Sequence, residues 1–135
     1  MKERTLTLAL MDPPYESANS TTAFRIIHAA LKQGIDVNVF AYEGAVCLSL
    51  KDQAPHANPV KGTSVDEEEH PTTKAFVSSL LAMGADKPRL TWVNCGLCVD
   101  ERGAANAVDD VRRGSPADFF KMAGESTNTL VIPTK

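Results

Sequence analysis

Four short stretches of the chain have the apolar and β-branched character of strands. The first, residues 5–11, alternates threonine and leucine before the chain turns at two prolines. Residues 37–41 and 89–94 are rich in β-branched and aromatic side chains, and residues 129–132 form a shorter stretch of the same kind. Stretches of this type, bounded by glycine, proline and aspartate, predict four β-strands.

Between these strands, apolar residues recur with the helical period of 3.6. One amphipathic helix is predicted over residues 23–31 and ends at Gly34, and a second runs over residues 72–84. Shorter helical segments are predicted over residues 45–51 and 104–111. A last helix is predicted to start at Ser115, a capping residue followed by proline. The residues placed on the buried face of this last helix are Phe119, Phe120 and Ala123.

Strands that alternate with helices are typical of an α/β fold. The sequence predicts a three-layer α/β/α single domain over residues 1–135, with a mostly parallel sheet of about five strands. Residues 52–71 form a long connection without periodicity, whose acidic run, 66–69, is interpreted as a solvated surface. Because ligands bind at the carboxyl ends of strands in open parallel sheets, we expect a functional site at that edge.

Charge and composition exclude several classes of protein. The net charge of −3 and the lack of a stretch rich in Lys and Arg give no basis for direct nucleic-acid binding. No apolar run approaches the roughly 20 residues that a membrane span requires, and the first residues lack the pattern of a signal peptide. We therefore expect a cytoplasmic protein without a membrane partner, in which the three cysteines are reduced.

Two cysteines, Cys95 and Cys98, follow the third predicted strand in the segment VNCGLCVDERG. This spacing fits a C-x-x-C redox pair, half of a zinc site, a nucleophilic thiol with a neighbour, or two small buried side chains. Cys47 lies in an apolar stretch and is interpreted as a small buried side chain.

A zinc site would need two further ligands at short spacing. His56 and His70 lie far apart in the long connection, and His28 lies on a predicted helix, so the chain does not offer such a pair. No metal and no cofactor are therefore expected.

A redox or nucleophilic role needs a thiolate. The positive end of a helix after the third strand contributes about 0.3–1 kcal/mol to its stabilisation, less than the roughly 1.4 kcal/mol that corresponds to one pKa unit. The Arg102 guanidinium would lower the thiol pKa further if it turned back towards the sulfur. Asp100 and Glu101 would raise it.

The segments CGLCVDERG, MDPPYES and VNVFAYEGAV resemble the DsrE/DsrF/TusD-like sulfur-relay family. The resemblance extends over nearly the whole chain as a single DsrE-like domain. It implies a compact α/β domain that assembles into homotrimers or homohexamers. Family members with a strand-end cysteine accept persulfide sulfur and pass it on, so the implied partners are the sulfur donor and acceptor proteins of a relay pathway.

Carried over by position, the sulfur-bearing cysteine of the family matches Cys95, and Cys98 is a neighbour that resolves or protects the persulfide. The residues expected to line the same substrate-binding pocket are Asp12, Tyr15, Glu43, Gly44, Gly96 and Arg102. Several of these also fit ordinary turn positions. Two alternatives stay open: a dithiol redox protein that uses both cysteines, and a non-catalytic oligomeric or ligand-binding subunit.

Overall fold

The computed structural model describes residues 3–57, 62–68 and 72–134, which contain five strands and five α-helices. The strands are β1 (Thr5–Leu10), β2 (Asp36–Ala41), β3 (Leu90–Cys95), β4 (Val111–Gly114) and β5 (Asn128–Ile132). The helices are α1 (Asn19–Lys32), α2 (Val65–Glu68), α3 (Thr73–Met83), α4 (Gly96–Arg102) and α5 (Pro116–Glu125), and Glu43–Ser49 forms a 3-10 helix.

The five strands form one sheet in the order β4-β3-β2-β1-β5, and every neighbouring pair is parallel. In its centre, Leu8 of β1 pairs with Val39 of β2 on one side and with Leu130 of β5 on the other. The predicted three-layer α/β/α fold is confirmed, with a sheet that is fully rather than mostly parallel. The carboxyl ends of all five strands therefore lie along the same edge.

Helices α1 and α3 pack on one face of the sheet and enclose the main core. Val39 and Trp92 of the central strands are fully buried there, together with Ile27 of α1 and Val77 of α3. Full burial of such side chains stabilises the fold by about 1.5–3 kcal/mol each. The indole N–H of Trp92 donates to the side-chain oxygen of Asn94 at 3.2 Å, so this buried N–H is paired.

The opposite face carries a smaller core beneath α4 and α5. Phe40, Val93 and Val99 are buried in it, and the ring of Phe119 on α5 stacks on Phe40 with a centroid distance of 5.6 Å. Helix α5 starts as predicted, because Ser115 precedes Pro116 and its N–H donates to the Asp118 carboxylate at 2.7 Å. None of the side chains of α5 is fully buried.

Two predictions on this part of the chain are wrong. Residues 104–110 are not helical: an antiparallel bridge joins Leu50 to Ala107, the Val108 N–H donates to the Ser49 carbonyl at 2.8 Å, and strand β4 follows. Strand β4 escapes sequence analysis because it is short, lies at the sheet edge and has only one large apolar residue. Phe120 is also not buried, since 82% of its surface is exposed.

The predicted helical segment over residues 45–51 is the 3-10 helix Glu43–Ser49. The long connection that follows is anchored by Gln53, whose side chain donates to the Cys47 carbonyl at 3.0 Å and accepts the Lys74 N–H at 2.9 Å. His70 and Glu69 of the predicted connection lie outside the described residues. Among the helices of the described segments, none is both long and apolar enough to cross a bilayer.

Candidate functional site

The two cysteines of the C-x-x-C segment lie at the carboxyl edge of the sheet. Cys95 is the last residue of β3 and the N-cap of α4, which starts at Gly96. Cys98 lies one turn into that helix. Only 3% of Cys95 and 5% of Cys98 is exposed, and both belong to the smaller core. The predicted position of the thiols, at a strand end and a helix start, matches the structure.

The backbone of the turn after β2 is fixed to Cys98. The N–H of Glu43 donates to the Cys98 Sγ at 3.1 Å. Glu43 adopts a left-handed backbone conformation, with φ of 53°, which is uncommon for a residue other than glycine. Backbone strain of this kind is typical of residues held in place for a function.

The surroundings of Cys98 perturb its thiol. Burial raises the pKa of Cys98, and a hydrogen bond to Cys95 raises it further, against a smaller opposing effect of the Glu43 N–H. Cys98 therefore keeps its proton at neutral pH and lies within hydrogen-bonding reach of Cys95.

An arginine that sequence analysis missed lies beside Cys95. A Cβ placed on Gly96 would lie only 2.9 Å from Nε of Arg113, so the guanidinium of Arg113 crosses over the start of α4. The Arg113 guanidinium pairs with the Asp100 carboxylate, and this hydrogen bond lowers the pKa of Asp100. Asp100, together with a smaller contribution from Cys95, raises the pKa of Arg113. Glycine at position 96 is thus what allows a cation to approach the thiol.

Arg102 does not turn back towards the Cys95 sulfur. Its guanidinium pairs with the Glu43 carboxylate at 2.9 Å and with Glu101 at 3.6 Å, and one of its N–H groups is 3.5 Å from the Cys98 carbonyl oxygen. The Arg102–Glu43 pair ties the last turn of α4 to the turn after β2. Arg102 therefore closes the rim of the site, and Arg113 provides the cation near the thiol.

Tyr42 is a second residue that sequence analysis did not single out. The pKa of Tyr42 is raised, first by the Glu43 carboxylate and then by Cys98, which places its phenol next to the same cluster. Its ring stacks on Phe40 with a centroid distance of 6.2 Å. The signal that could have found it is its position directly after β2, at the same edge as Cys95.

Gly44 and Asp12 organise the neighbouring strand end. A Cβ on Gly44 would lie 2.8 Å from the Cβ of Pro13, so the 3-10 helix packs directly against the loop after β1. Asp12 is buried and holds that loop by accepting hydrogen bonds from the Ser17 hydroxyl and, at 3.0 Å, from the Asn19 side chain. These contacts give Asp12 a role in loop structure.

Tyr15 lies apart from the two thiols. It has a left-handed backbone with φ of 66°, and its ring meets His56 edge-on at 5.0 Å. It lines a cleft between α1 and α3, on the face of the sheet opposite the smaller core. The structure therefore brings Glu43, Gly96 and Arg102 to the thiols and places Tyr15 elsewhere.

Cys47 is half-buried and borders the same smaller core as the other two cysteines. Burial raises the pKa of Cys47, against a smaller lowering effect of Arg102. Within the described segments, the structure has no cluster of three or more His, Cys, Asp and Glu side chains that could hold a metal ion. The chemistry that this arrangement offers is that of a thiol beside a neutral thiol and a cation.

A fully parallel five-stranded α/β/α domain with a strand-end cysteine is thus the class that fold and site define. Residues 5–132 match the model of the DsrE/DsrF-like family, and the chain belongs to this family. It is 23% identical over 128 residues to the uncharacterized protein MJ0989 of Methanocaldococcus jannaschii, covering 93% of this chain and 97% of that protein.

Two further matches also cover most of this chain. The uncharacterized protein MK0008 of Methanopyrus kandleri is 24% identical over 127 residues, with 93% of this chain and 91% of that protein covered. The crystal structure of the YchN protein from E. coli superposes with a TM-score of 0.76 at 18% identity, covering 95% of this chain and 98% of that one. That likeness concerns the fold.

Proposed function

We propose that this protein carries persulfide sulfur on Cys95 and passes it to a partner protein, as a member of a sulfur relay. The observation that supports this most is the placement of Cys95, which ends β3 at the start of α4, next to the Arg113 guanidinium that crosses Gly96. A cation near the sulfur favours the thiolate, which is the reactive form.

The loading step is an exchange at sulfur that needs no oxidant. The Cys95 thiolate attacks the outer sulfur of a donor persulfide, a new S–S bond forms on Cys95, and the S–S bond of the donor breaks. The donor leaves as a thiolate, so one bond forms, one breaks and no electrons are gained or lost. Delivery to the acceptor repeats the step in reverse, with an acceptor thiolate attacking the outer sulfur on Cys95.

Burial of Cys95 limits what can reach it. With 3% of the residue exposed, attack on a protein-bound persulfide requires α4 to shift or the donor to insert an extended segment. Helix α4 is only seven residues long and ends at Gly103 in a left-handed conformation, with φ of 61°. A helix this short has few backbone hydrogen bonds to break in such a shift.

A dithiol redox protein is the second candidate, because the hydrogen bond between Cys98 and Cys95 brings the two sulfurs of the C-x-x-C segment together. The two functions place different demands on Cys98. A redox protein cycles between dithiol and disulfide and needs both sulfurs, whereas a carrier needs one nucleophile.

Variants that each replace one of the three cysteines by serine separate the two candidate functions. They are incubated with polysulfide and analysed by intact-protein mass spectrometry. We expect Cys98→Ser and the control Cys47→Ser to gain the mass of about one sulfur atom, whereas Cys95→Ser does not. Loading of Cys95→Ser but not of Cys98→Ser would reverse the two roles. If neither Cys95→Ser nor Cys98→Ser is loaded, the dithiol function replaces sulfur carriage. Wild-type protein that takes up no sulfur and forms no internal disulfide would instead be a non-catalytic subunit.

We also propose that the protein acts in the cytoplasm as a homotrimer or homohexamer, with sulfur donor and acceptor proteins as its transient partners. Helix α5 and strand β5 support self-association, because Phe120 is 82% exposed, Val131 53% and Leu130 41%. Among the described residues, strand β5 also pairs on one side only, which leaves one edge of the sheet open.

Size-exclusion chromatography with light scattering tests the assembly. We expect a mass three or six times that of the 14.5 kDa chain, and a lower mass for Phe120→Asp. Lys121→Asp, an exposed substitution on the same helix, is the matched control. A wild-type mass equal to that of one chain would overturn the proposed assembly.

A further inference from the structure

A cleft separate from the thiols runs between α1 and α3. It consists of two cavities of about 330 and 400 Å³ that share Thr21, Phe24 and Phe76. Both volumes fall in the range of small-molecule sites. Because α1 and α3 cover the face of the sheet opposite α4 and α5, a ligand in this cleft would not touch Cys95 or Cys98.

The walls of the cleft are aromatic. Phe24 of α1 and Phe76 of α3 stack with a centroid distance of 5.3 Å and an angle of 20° between their planes. Phe76 is 38% exposed and Tyr15, at the end of the cleft near the carboxyl edge of the sheet, is 46% exposed. Aromatic rings that stay partly in water beside a cavity offer surface on which a flat ring can stack.

One polar atom in the wall has no partner. Ser20 lines the cleft and is only 6% exposed, and its hydroxyl makes no hydrogen bond within the described residues. The hydroxyls of two neighbouring lining residues already donate hydrogen bonds within the protein. Ser17 donates to Asp12, and Thr73 donates to the Leu48 carbonyl at 2.9 Å. A buried polar group without a hydrogen-bond partner is rare and costly. We therefore interpret the Ser20 hydroxyl as a group whose hydrogen-bond partner is an atom of a ligand.

The far end of the cleft is basic. Arg25 and His28 lie there, on the same side of α1 as Thr21 and Phe24, because residues three or four apart share a helix face. The described residues that line the two cavities include no carboxylate. An anionic group fits this end, whereas the Ser20 end lies near the buried carboxylate of Asp12 and suits a neutral hydrogen-bonding group.

We propose that this cleft binds a flat aromatic molecule with one anionic group. Its ring stacks on Phe76 between α1 and α3, a neutral N–H or O–H bonds to the Ser20 hydroxyl, and its anionic group faces Arg25. This is a second site of the protein, independent of the chemistry at Cys95.

Two dyes with one aromatic frame test the proposal. Anilinonaphthalene sulfonate has the frame, an N–H and an anionic group, and phenylnaphthylamine has the frame and the N–H alone; both fluoresce more strongly in apolar sites. We expect the anionic dye to bind the full chain, and Phe76→Ala to weaken both dyes about tenfold or more. Arg25→Gln should weaken the anionic dye about fivefold and leave the neutral dye within about twofold. Ser20→Ala should weaken both.

The control is Lys121→Ala, which removes an exposed side chain on the other face and should leave both affinities unchanged. Amide NMR spectra of the wild type with dye show whether the signals of Ser20, Phe24 and Phe76 move, which does not depend on any variant folding. No fluorescence increase, or signal changes confined to α5, would overturn the site. Equal loss of both dyes in Arg25→Gln would overturn the anionic part of the assignment.

Discussion

Helices α1 and α3 bury whole side chains against one face of the sheet, whereas α5 buries none against the other. Ile27 on α1 and Val77 on α3 have no exposed surface. The counterparts on α5, Phe119 and Met122, are only partly buried. The face beneath α5 and α4 is also the one that holds the reduced cysteines. The comparison separates the two faces of the domain, since more apolar side chains are buried on one face and the two buried cysteines lie on the other.

The largest expected effect is the difference in stability between matched truncations on the two faces. Ile27→Ala should lower the free energy of unfolding by about 3–4 kcal/mol, because it leaves a cavity in the main core. Met122→Ala should cost about 1 kcal/mol, because its side chain is already partly in water. Urea denaturation of both variants, at one protein concentration, measures the difference. Equal losses of unfolding free energy in the two variants would show that the two faces of the sheet contribute equally to stability.

A second contrast concerns two glycines at the carboxyl edge. Gly44→Ala should destabilise the fold by about 1–3 kcal/mol, because its new methyl group meets the rigid ring of Pro13. Gly96→Ala should cost less than about 1 kcal/mol, since it meets the end of the movable Arg113 side chain. Displacement of Arg113 should instead slow sulfur loading of Cys95 severalfold. Thermal unfolding and timed mass spectrometry distinguish the two outcomes, and a Gly96→Ala protein that loads at the normal rate would remove Arg113 from the site.

The smallest expected effect is on the pH dependence of stability. Because the pKa of Cys98 is raised in the folded chain, the folded state holds this proton more tightly than the unfolded chain does. The resulting stabilisation is complete below the unfolded pKa of about 8.5, and it is lost as the pH rises through the higher folded value. We expect the free energy of unfolding of the wild type to fall as the pH rises from the unfolded pKa through the folded pKa of Cys98. The free energy of unfolding of Cys98→Ser should fall less steeply over the same range. Identical slopes in urea denaturation at alkaline pH would contradict the raised pKa.

The features that the sequence predicts well are those with a local pattern. Strand β3 carries Trp92 and Val93 shortly before Cys95, so both the strand end and the helix start after it could be located. The resemblance to the DsrE family is confirmed by the family model, which matches residues 5–132.

The features that escaped prediction depend on contacts between distant segments. Arg113 comes close to Cys95 through the pairing of β4 with β3, and β4 has too few apolar residues to be recognised. Phe119 and Phe120 are adjacent, and only the final position of α5 over Phe40 decides which ring packs against the sheet. The left-handed backbone of Tyr15 likewise turns its loop towards α3 in a way that its turn composition does not reveal.

The pairing of β1 with β5 has a consequence for how the chain folds. The two strands pair from Leu6 and Asn128 onward, and just before them the Thr5 N–H donates to the Thr127 hydroxyl at 3.1 Å, across 122 residues of sequence. During synthesis, β1 can pair with β2 early, but its other edge keeps unpaired N–H and C=O groups until β5 has left the ribosome. Contacts of such high sequence separation form slowly. In that interval, β5 of one nascent chain can pair with β1 of another, so the concentration of unfinished chains sets the risk of strand exchange.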